Sequence, residues 1–228
     1  MTKPPYETSG SEESAGEDPA LVIAGLREQI ALLRSQLARA EEVSAAADEH
    51  IEFLEDRAQV DRLMGIGNRE RLEKTYRRLG GGHPHRRQGE VSPHHSAIIL
   101  DIDRFKSVND TYGHPFGDVV LREVAGRVQA GVRDKDTIGR FGGEEIVVLL
   151  EDTDPEEAWY VAERLRSSIE EAPIGEHNLT VTASFGVGPL ALGQDLSEGI
   201  SLADQALYVA KDTGRNRIIM YSDLSEGS

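Results

Sequence analysis

Arg140-Phe141-Gly142-Gly143-Glu144-Glu145-Ile146 is the stretch on which the reading of this chain turns. Two glycines stand between the apolar runs 137–141 and 146–150, a pattern that predicts two strands joined by a tight hairpin. Glycine takes positive φ at little cost, so the turn is expected to use that freedom. Glu144 and Glu145 leave the turn beside a backbone bare enough for a ligand to approach. Some forty residues earlier a second acidic strand end appears, Ile98-Ile99-Leu100-Asp101-Ile102-Asp103. Two carboxylate-bearing strand ends around a glycine hairpin suit Mg²⁺ and a nucleotide phosphate.

The chain has 228 residues, enough for one good core with an extension to spare. It contains no cysteine, which excludes disulfides and thiolate metal sites and fits a reducing, cytoplasmic setting. No run approaches the ~20 apolar residues of a membrane span, and the polar N-terminus does not read as a signal peptide, so no direct membrane insertion is expected. The formal charge of −16 argues against a nucleic-acid partner. It also means that a bound nucleotide must rely on local cations.

Residues 1–19 are rich in Ser, Glu, Gly and Pro and read as a disordered acidic segment. Residues 20–60 carry a sustained heptad: Ile23, Leu26, Ile30, Leu33, Leu37, Ala40, Ser44, Ala47, Ile51, Leu54 and Ala58. Ile at one seam position and Leu at the other favour a parallel two-stranded coiled coil, and hence a homodimer. The competing reading is an amphipathic helix lying on its own domain. A globular domain is expected over 61–223, with an extended loop at 80–95 and a short tail at 224–228. Within it, strands are expected at 97–102, 137–141, 146–150, 179–185 and 217–221. Helices are expected at 68–79, 117–132, 155–171 and 196–211. This mixture predicts an α+β fold, helices packed on a sheet that contains antiparallel pairs.

Four motifs in order then carry a resemblance. They are Asp61-x-Leu63-x-Gly65-x-x-Asn68-Arg69; Asp101-Ile102-Asp103-x-Phe105-Lys106-x-x-Asn109-Asp110-x-x-Gly113-His114, continued by Gly117-Asp118; Gly142-Gly143-Glu144-Glu145-Ile146; and Ala203-Asp204-x-Ala206-Leu207-Tyr208-x-Ala210-Lys211-x-x-Gly214-Arg215-Asn216. Together they resemble the GGDEF domain of diguanylate cyclases. Met64, Ile66 and Ile146 stand where the family usually has Thr, Leu and Phe. The resemblance implies a sheet like the palm of nucleotidyl cyclases and polymerases, and condensation of two GTP into cyclic di-GMP with release of two pyrophosphates.

It also implies roles. Asp101, Glu144 and the Ile102 carbonyl would bind Mg²⁺, with Mn²⁺ as a substitute. Glu145 would activate the attacking 3′-hydroxyl, with Asp103 and metal-bound water as competitors. Lys106, Lys211 and Arg215 would hold phosphates, and Asn109 and Asp118 would read the guanine edge. Phe105, Gly142 and Gly143 complete the GTP site. Arg133 and Asp136, an Arg-x-x-Asp ending shortly before the hairpin, resemble the family's inhibitory product site, with Arg164 as a second arginine. An unidentified activating protein would act through the coil. The alternative is an inactive GGDEF domain that serves as a cyclic di-GMP receptor or coiled-coil scaffold. Four histidines in the loop (His83, His85, His94, His95) read as a solvated excursion rather than a metal site.

Overall fold

The computed structural model describes residues 27, 29–30, 32–44, 47, 58–80, 90–192 and 195–225. The chain divides into two compact units, Met1–Glu55 and Asp56–Ser228. In the first, the described residues are helical. Its Ile30, Leu33 and Leu37 are about half exposed or more, at 49%, 57% and 60%. Ile23, Leu26, Ile51 and Leu54 of the heptad lie outside the described residues.

The second unit is built on a five-stranded sheet in the order β2-β3-β1-β4-β5. The strands are β1 (Glu90–Ile102), β2 (Thr137–Arg140), β3 (Glu145–Glu151), β4 (Ala183–Leu192) and β5 (Ile218–Met220). All neighbours run antiparallel except β4 and β5. The helices are α1 (Arg69–Arg78), α2 (Phe105–Tyr112), α3 (His114–Ala130), α4 (Pro155–Glu171), α5 (Leu196–Gly199), α6 (Ser201–Asp212) and α7 (Tyr221–Ser225).

Period-two alternation sends the central strands into two cores. Ile98, Leu100 and Ile102 of β1 and Ile146 and Val148 of β3 join α3 and α4 residues such as Val124, Val128, Leu165 and Ile169 in one. Ala97, Ile99, Val147 and Leu149 face the other way, against Leu72 and Tyr76 of α1 and Ala203 and Leu207 of α6. The same parity places Asp101 and Glu145 on the α1/α6 face, and the two are direct partners in the β1–β3 register. That pairing positions the site.

Several expectations are corrected. Residues 90–95 are strand rather than loop, because the far end of β4 pairs with Glu90 and Val91 and β3 pairs with His95, across an irregularity between Val91 and Ser96. The 179–185 strand starts only at Ala183, since Leu179 instead bridges back to Ile174. The helix expected at 196–211 is two helices, divided at Ile200, whose side chain is buried in the second core. Helix α2 gave no sequence signal: it follows a left-handed Arg104 (φ 56°) and has no side-chain cap.

Candidate active site

Asp101 ends β1 and Glu145 opens β3, so backbone pairing alone brings the carboxylates together. Helix α6 crosses that end of the sheet and delivers Lys211, whose Nζ lies 2.8 Å from Asp101 Oδ2. Burial pushes the Asp101 pKa up; Lys211 pulls it back, and Asp103 adds to the rise. Burial also pushes Glu145 up, against Lys211 and with the help of Asp101, Asp204 and Glu144. Five acids therefore lie around Lys211, with Arg215 the one further cation that acts on Asp101. The protein leaves this charge under-compensated.

Beside the cluster lies a cleft of about 370 Å³, lined among others by Phe105, Lys106, Asn109, Asp118, Gly143 and Glu144. Phe105 to Asn109 come from α2 and Asp118 from the second turn of α3. Gly117 lets the two helices meet closely. A Cβ there would sit 1.9 Å from Asn109 Oδ1.

The hairpin is held differently from expectation. Neither Gly142 nor Gly143 is left-handed. A Cβ on Gly142 would instead lie 2.5 Å from Glu145 Oε2, while Gly143 faces open space. Gly142 is there for a carboxylate to pass, and Gly143 keeps the cleft open. Arg140 fixes the turn: its Nε donates to the carbonyls of Gly142 (3.1 Å) and Gly143 (3.0 Å), and its Nη2 to Gly143 (2.7 Å). Nη1 of the same guanidinium meets Asp61 Oδ2 at 3.1 Å. Burial opposes the Asp61 charge, but the Met64 and Leu63 amides and Arg140 outweigh it and lower its pKa. Arg140 and Asp61 stand in the quoted motifs, but their pairing was missed, since nothing in a sequence marks an arginine as gripping the turn that follows it.

Asp103 is a structural acid in this fold. It is 9% exposed and accepts from Thr182 Oγ1 (2.7 Å), Ser184 Oγ (2.6 Å) and the Asn216 amide (3.0 Å). Arg215 lines a neighbouring pocket of about 400 Å³ with Asp103, Arg104 and Ser107, rather than the cleft of Asn109. Ile146 is fully buried in the first core and touches neither cleft by its position, so it acts through packing.

Arg133 and Asp136 line a third cleft, of about 210 Å³. Asp136 Oδ2 accepts from the Arg133 amide at 3.0 Å and closes the turn. Arg164 does not line this cleft; its Nη2 and Nε donate to the Gly131 carbonyl at 2.7 and 3.3 Å.

Among the described residues no three His, Asp or Glu side chains converge as a ready metal cage. The donor set expected from the motifs, Asp101, Glu144 and the Ile102 carbonyl, consists of hard oxygens, and Asp101 lies in a region of excess negative charge. That set fits a divalent ion of the Mg²⁺ or Mn²⁺ type. No described helix is long and apolar enough to cross a membrane.

Comparison with known proteins agrees with this geometry. Residues 58–217 match the family model described as diguanylate cyclase, GGDEF domain. Diguanylate cyclase A of Treponema denticola is 42% identical over 135 residues, covering 58% of this chain and 36% of that protein. The chain spans between 26% and 45% of the lengths of three such relatives. Diguanylate cyclase SiaD of Pseudomonas aeruginosa, solved in complex with its activator SiaC, superposes with a TM-score of 0.63 at 33% identity, covering 87% of this chain and 80% of that one. The coiled coil and GGDEF domain of DgcB from Caulobacter crescentus, solved with cyclic di-GMP, gives 0.64 at 25% identity, covering 82% and 98%.

Proposed function

We propose that this chain, which belongs to the GGDEF family, condenses two GTP into cyclic di-GMP with release of two pyrophosphates. The observation that carries this reading is the pairing of Asp101 with Glu145 across β1 and β3, beside Lys211 and next to the cleft of Asn109 and Asp118. Asn109 and Asp118 bind the guanine, the carboxylate accepting from N1–H and N2–H₂, which adenine cannot match. Lys106 at the cleft, with Lys211 at the acid pair and Arg215 from the neighbouring pocket, holds the phosphates; Lys211 exchanges its Asp101 partner for a phosphate oxygen. Glu145, its pKa already raised, accepts the proton of the attacking 3′-hydroxyl. Asp101, Glu144 and the Ile102 carbonyl would hold Mg²⁺, or Mn²⁺ in its place, which neutralises the triphosphate and stabilises charge at the α-phosphate. The Arg140 grip on Gly142 and Gly143 keeps the hairpin shaped for these contacts.

Each domain binds one GTP, so turnover needs two domains face to face. The exposed Ile30, Leu33 and Leu37 stripe supports a parallel coil that raises their local concentration. An activating protein would act on that coil, and the SiaD–SiaC complex is a precedent for control of a similar chain. Product bound at Arg133 and Asp136, with Arg164 contributing from a facing domain, would restrain turnover. Retention of Asp101, Glu144 and Glu145 favours a cyclase over an inactive receptor.

Chromatography of the reaction on GTP and on ATP tests the chemistry. Cyclic di-GMP and pyrophosphate in a 1:2 ratio from GTP alone is the expected result. A linear dinucleotide, or equal use of ATP, would sink it.

A further inference from the structure

Helix α2 stands between two clefts. Lys106, Asn109 and Asp110 line the one that holds guanine in the reading above. Ser107, Thr111 and Tyr112 line the other, a pocket of about 400 Å³ completed by the 179–182 segment and the 214–216 turn. Among the described residues its lining carries two arginines, Arg104 and Arg215, against one carboxylate, in a chain whose formal charge is −16. The carboxylate is Asp103, already turned to Thr182, Ser184 and the Asn216 amide. Among the described residues neither guanidinium forms an ion pair or donates a hydrogen bond.

The backbone around this pocket is costly to build. Among the described residues five that are not glycine are left-handed, and three of them line the pocket: Arg104 (φ 56°), Arg215 (φ 64°) and Asn216 (φ 45°). Such backbones persist only where the surroundings hold them, and they gather at ligand sites. The holding contacts are explicit. The Arg215 amide donates to the Ala210 carbonyl and the Asn216 amide to Asp103 Oδ2, both at 3.0 Å. The Asn216 side chain accepts from Arg166 at 3.0 Å and donates to Glu170 at 2.9 Å. The Arg104 carbonyl accepts the Ser107 amide at 2.8 Å. Both arginines thus stand on fixed backbones with their forks left for a ligand.

We infer that this pocket receives the pyrophosphate leaving group, Arg104 and Arg215 each taking one of its two phosphates. This rests on the reading of the Asp101–Glu145 cluster as the reacting centre. There the 3′-oxygen bonds to the α-phosphorus and its proton passes to Glu145. The bond to the bridging oxygen breaks, and that electron pair departs with pyrophosphate. The pocket adjoins this centre along the chain: Asp103, two residues after Asp101, lines it. Arg215 spans the same gap, since its charge also acts on Asp101. With the base on one flank of α2, the departing group is taken up on the other. An arginine fork matches phosphate oxygens bidentately, and two forks distinguish a diphosphate from a single phosphate. Ser107 and Thr111 add hydroxyl donors. Arg215 already meets phosphate in bound GTP; Arg104 is the cation added for the departing group.

The test is calorimetric titration of pyrophosphate, orthophosphate and GMP into the full chain stripped of nucleotide. The parent is compared with Arg104→Met, Arg104→Lys and Arg215→Met. Methionine keeps an apolar stem, and lysine keeps the charge without the fork. GMP lacks the phosphates at issue, so it reports on the guanine cleft and on intact folding. Arg104→Met and Arg215→Met should each weaken pyrophosphate about tenfold or more, and Arg104→Lys less. GMP affinity should be the same in Arg104→Met as in the parent. Orthophosphate should bind the parent at least about tenfold more weakly than pyrophosphate does. Pyrophosphate binding that ignores Arg104→Met would overturn the inference, and so would orthophosphate that matches pyrophosphate. Arg104-dependent pyrophosphate binding by a parent that does not bind GMP would leave the pocket standing and sink the reading of the guanine cleft.

Discussion

Asp101 and Asp103 are separated by one residue on the same chain segment and have opposite surroundings. Asp103 accepts from two hydroxyls and one amide, and its neighbourhood is closed: Asn216 also bonds Glu170 and Arg166, and Arg166 grips Glu163. Side-chain bonds from Arg166 hold the pKa values of Glu163 and Glu170 down. Asp101 has a single lysine, shares it with Glu145, and both acids are pushed up by burial. A satisfied acid cluster holds α4, β4 and the α6–β5 turn together. An unsatisfied one is poised for cationic and phosphate partners that the fold does not supply, the pattern expected where function is set against stability.

The contrast can be broken by exchanging the two behaviours. The largest effect is expected from Glu145→Gln, which should lower turnover at least about 100-fold, a loss of general-base character; a rate within threefold of the parent would remove Glu145 from the chemistry. Asp103→Asn should act on stability, at a cost of about 2 kcal/mol in urea unfolding, because its three donors lose a charged acceptor. An Asp103→Asn protein as stable as the parent would mean that the clamp holds nothing. Gly117→Ala leaves all the acids untouched and displaces Asn109. It should raise KM for GTP about tenfold, since small misplacements at a binding group are costly, with no comparable change in unfolding; an unchanged KM would take Asn109 out of the guanine site.

The smallest effect concerns pH. Glu145 has a raised pKa in the fold, so the folded state binds its proton more tightly than the unfolded chain does. Its contribution therefore makes the stripped protein less stable as pH rises through the carboxylate range. Glu145→Gln removes this and should melt higher than the parent at pH 7. The gain should fade as pH falls below the folded-state pKa of Glu145. A gain independent of pH would point to packing instead.

The acidic strand ends were legible in the sequence, the contrast between their two aspartates was not, and the illegible part has physical causes. The apolar runs within 97–102 and 146–150 exposed β1 and β3, with the acids standing at their ends. Helix α4 was read over its whole length because Ala158, Val161, Ala162, Leu165 and Ile169 fall on one face, the face that is buried. Asp101 and Asp103 could not be told apart, since the donors to Asp103 come from Thr182, Ser184 and Asn216, some eighty or more residues away. The Arg140–Asp61 pairing was invisible for the same reason: an arginine's partner is decided by tertiary placement. The strand at 90–95 was hidden by Pro93 and His94, which carry no strand pattern and fall in the irregularity between Val91 and Ser96, the residues that β4 pairs on either side.

The most direct test of the account is Mg²⁺-dependent release of pyrophosphate from GTP by the full chain, stripped of nucleotide and confirmed dimeric, with Glu145→Gln alongside. Release that needs the metal and collapses in Glu145→Gln is the predicted result. Release that proceeds equally in the variant, or none at all from the dimeric parent, would contradict the assignment of the Asp101–Glu145 cluster as the reacting centre.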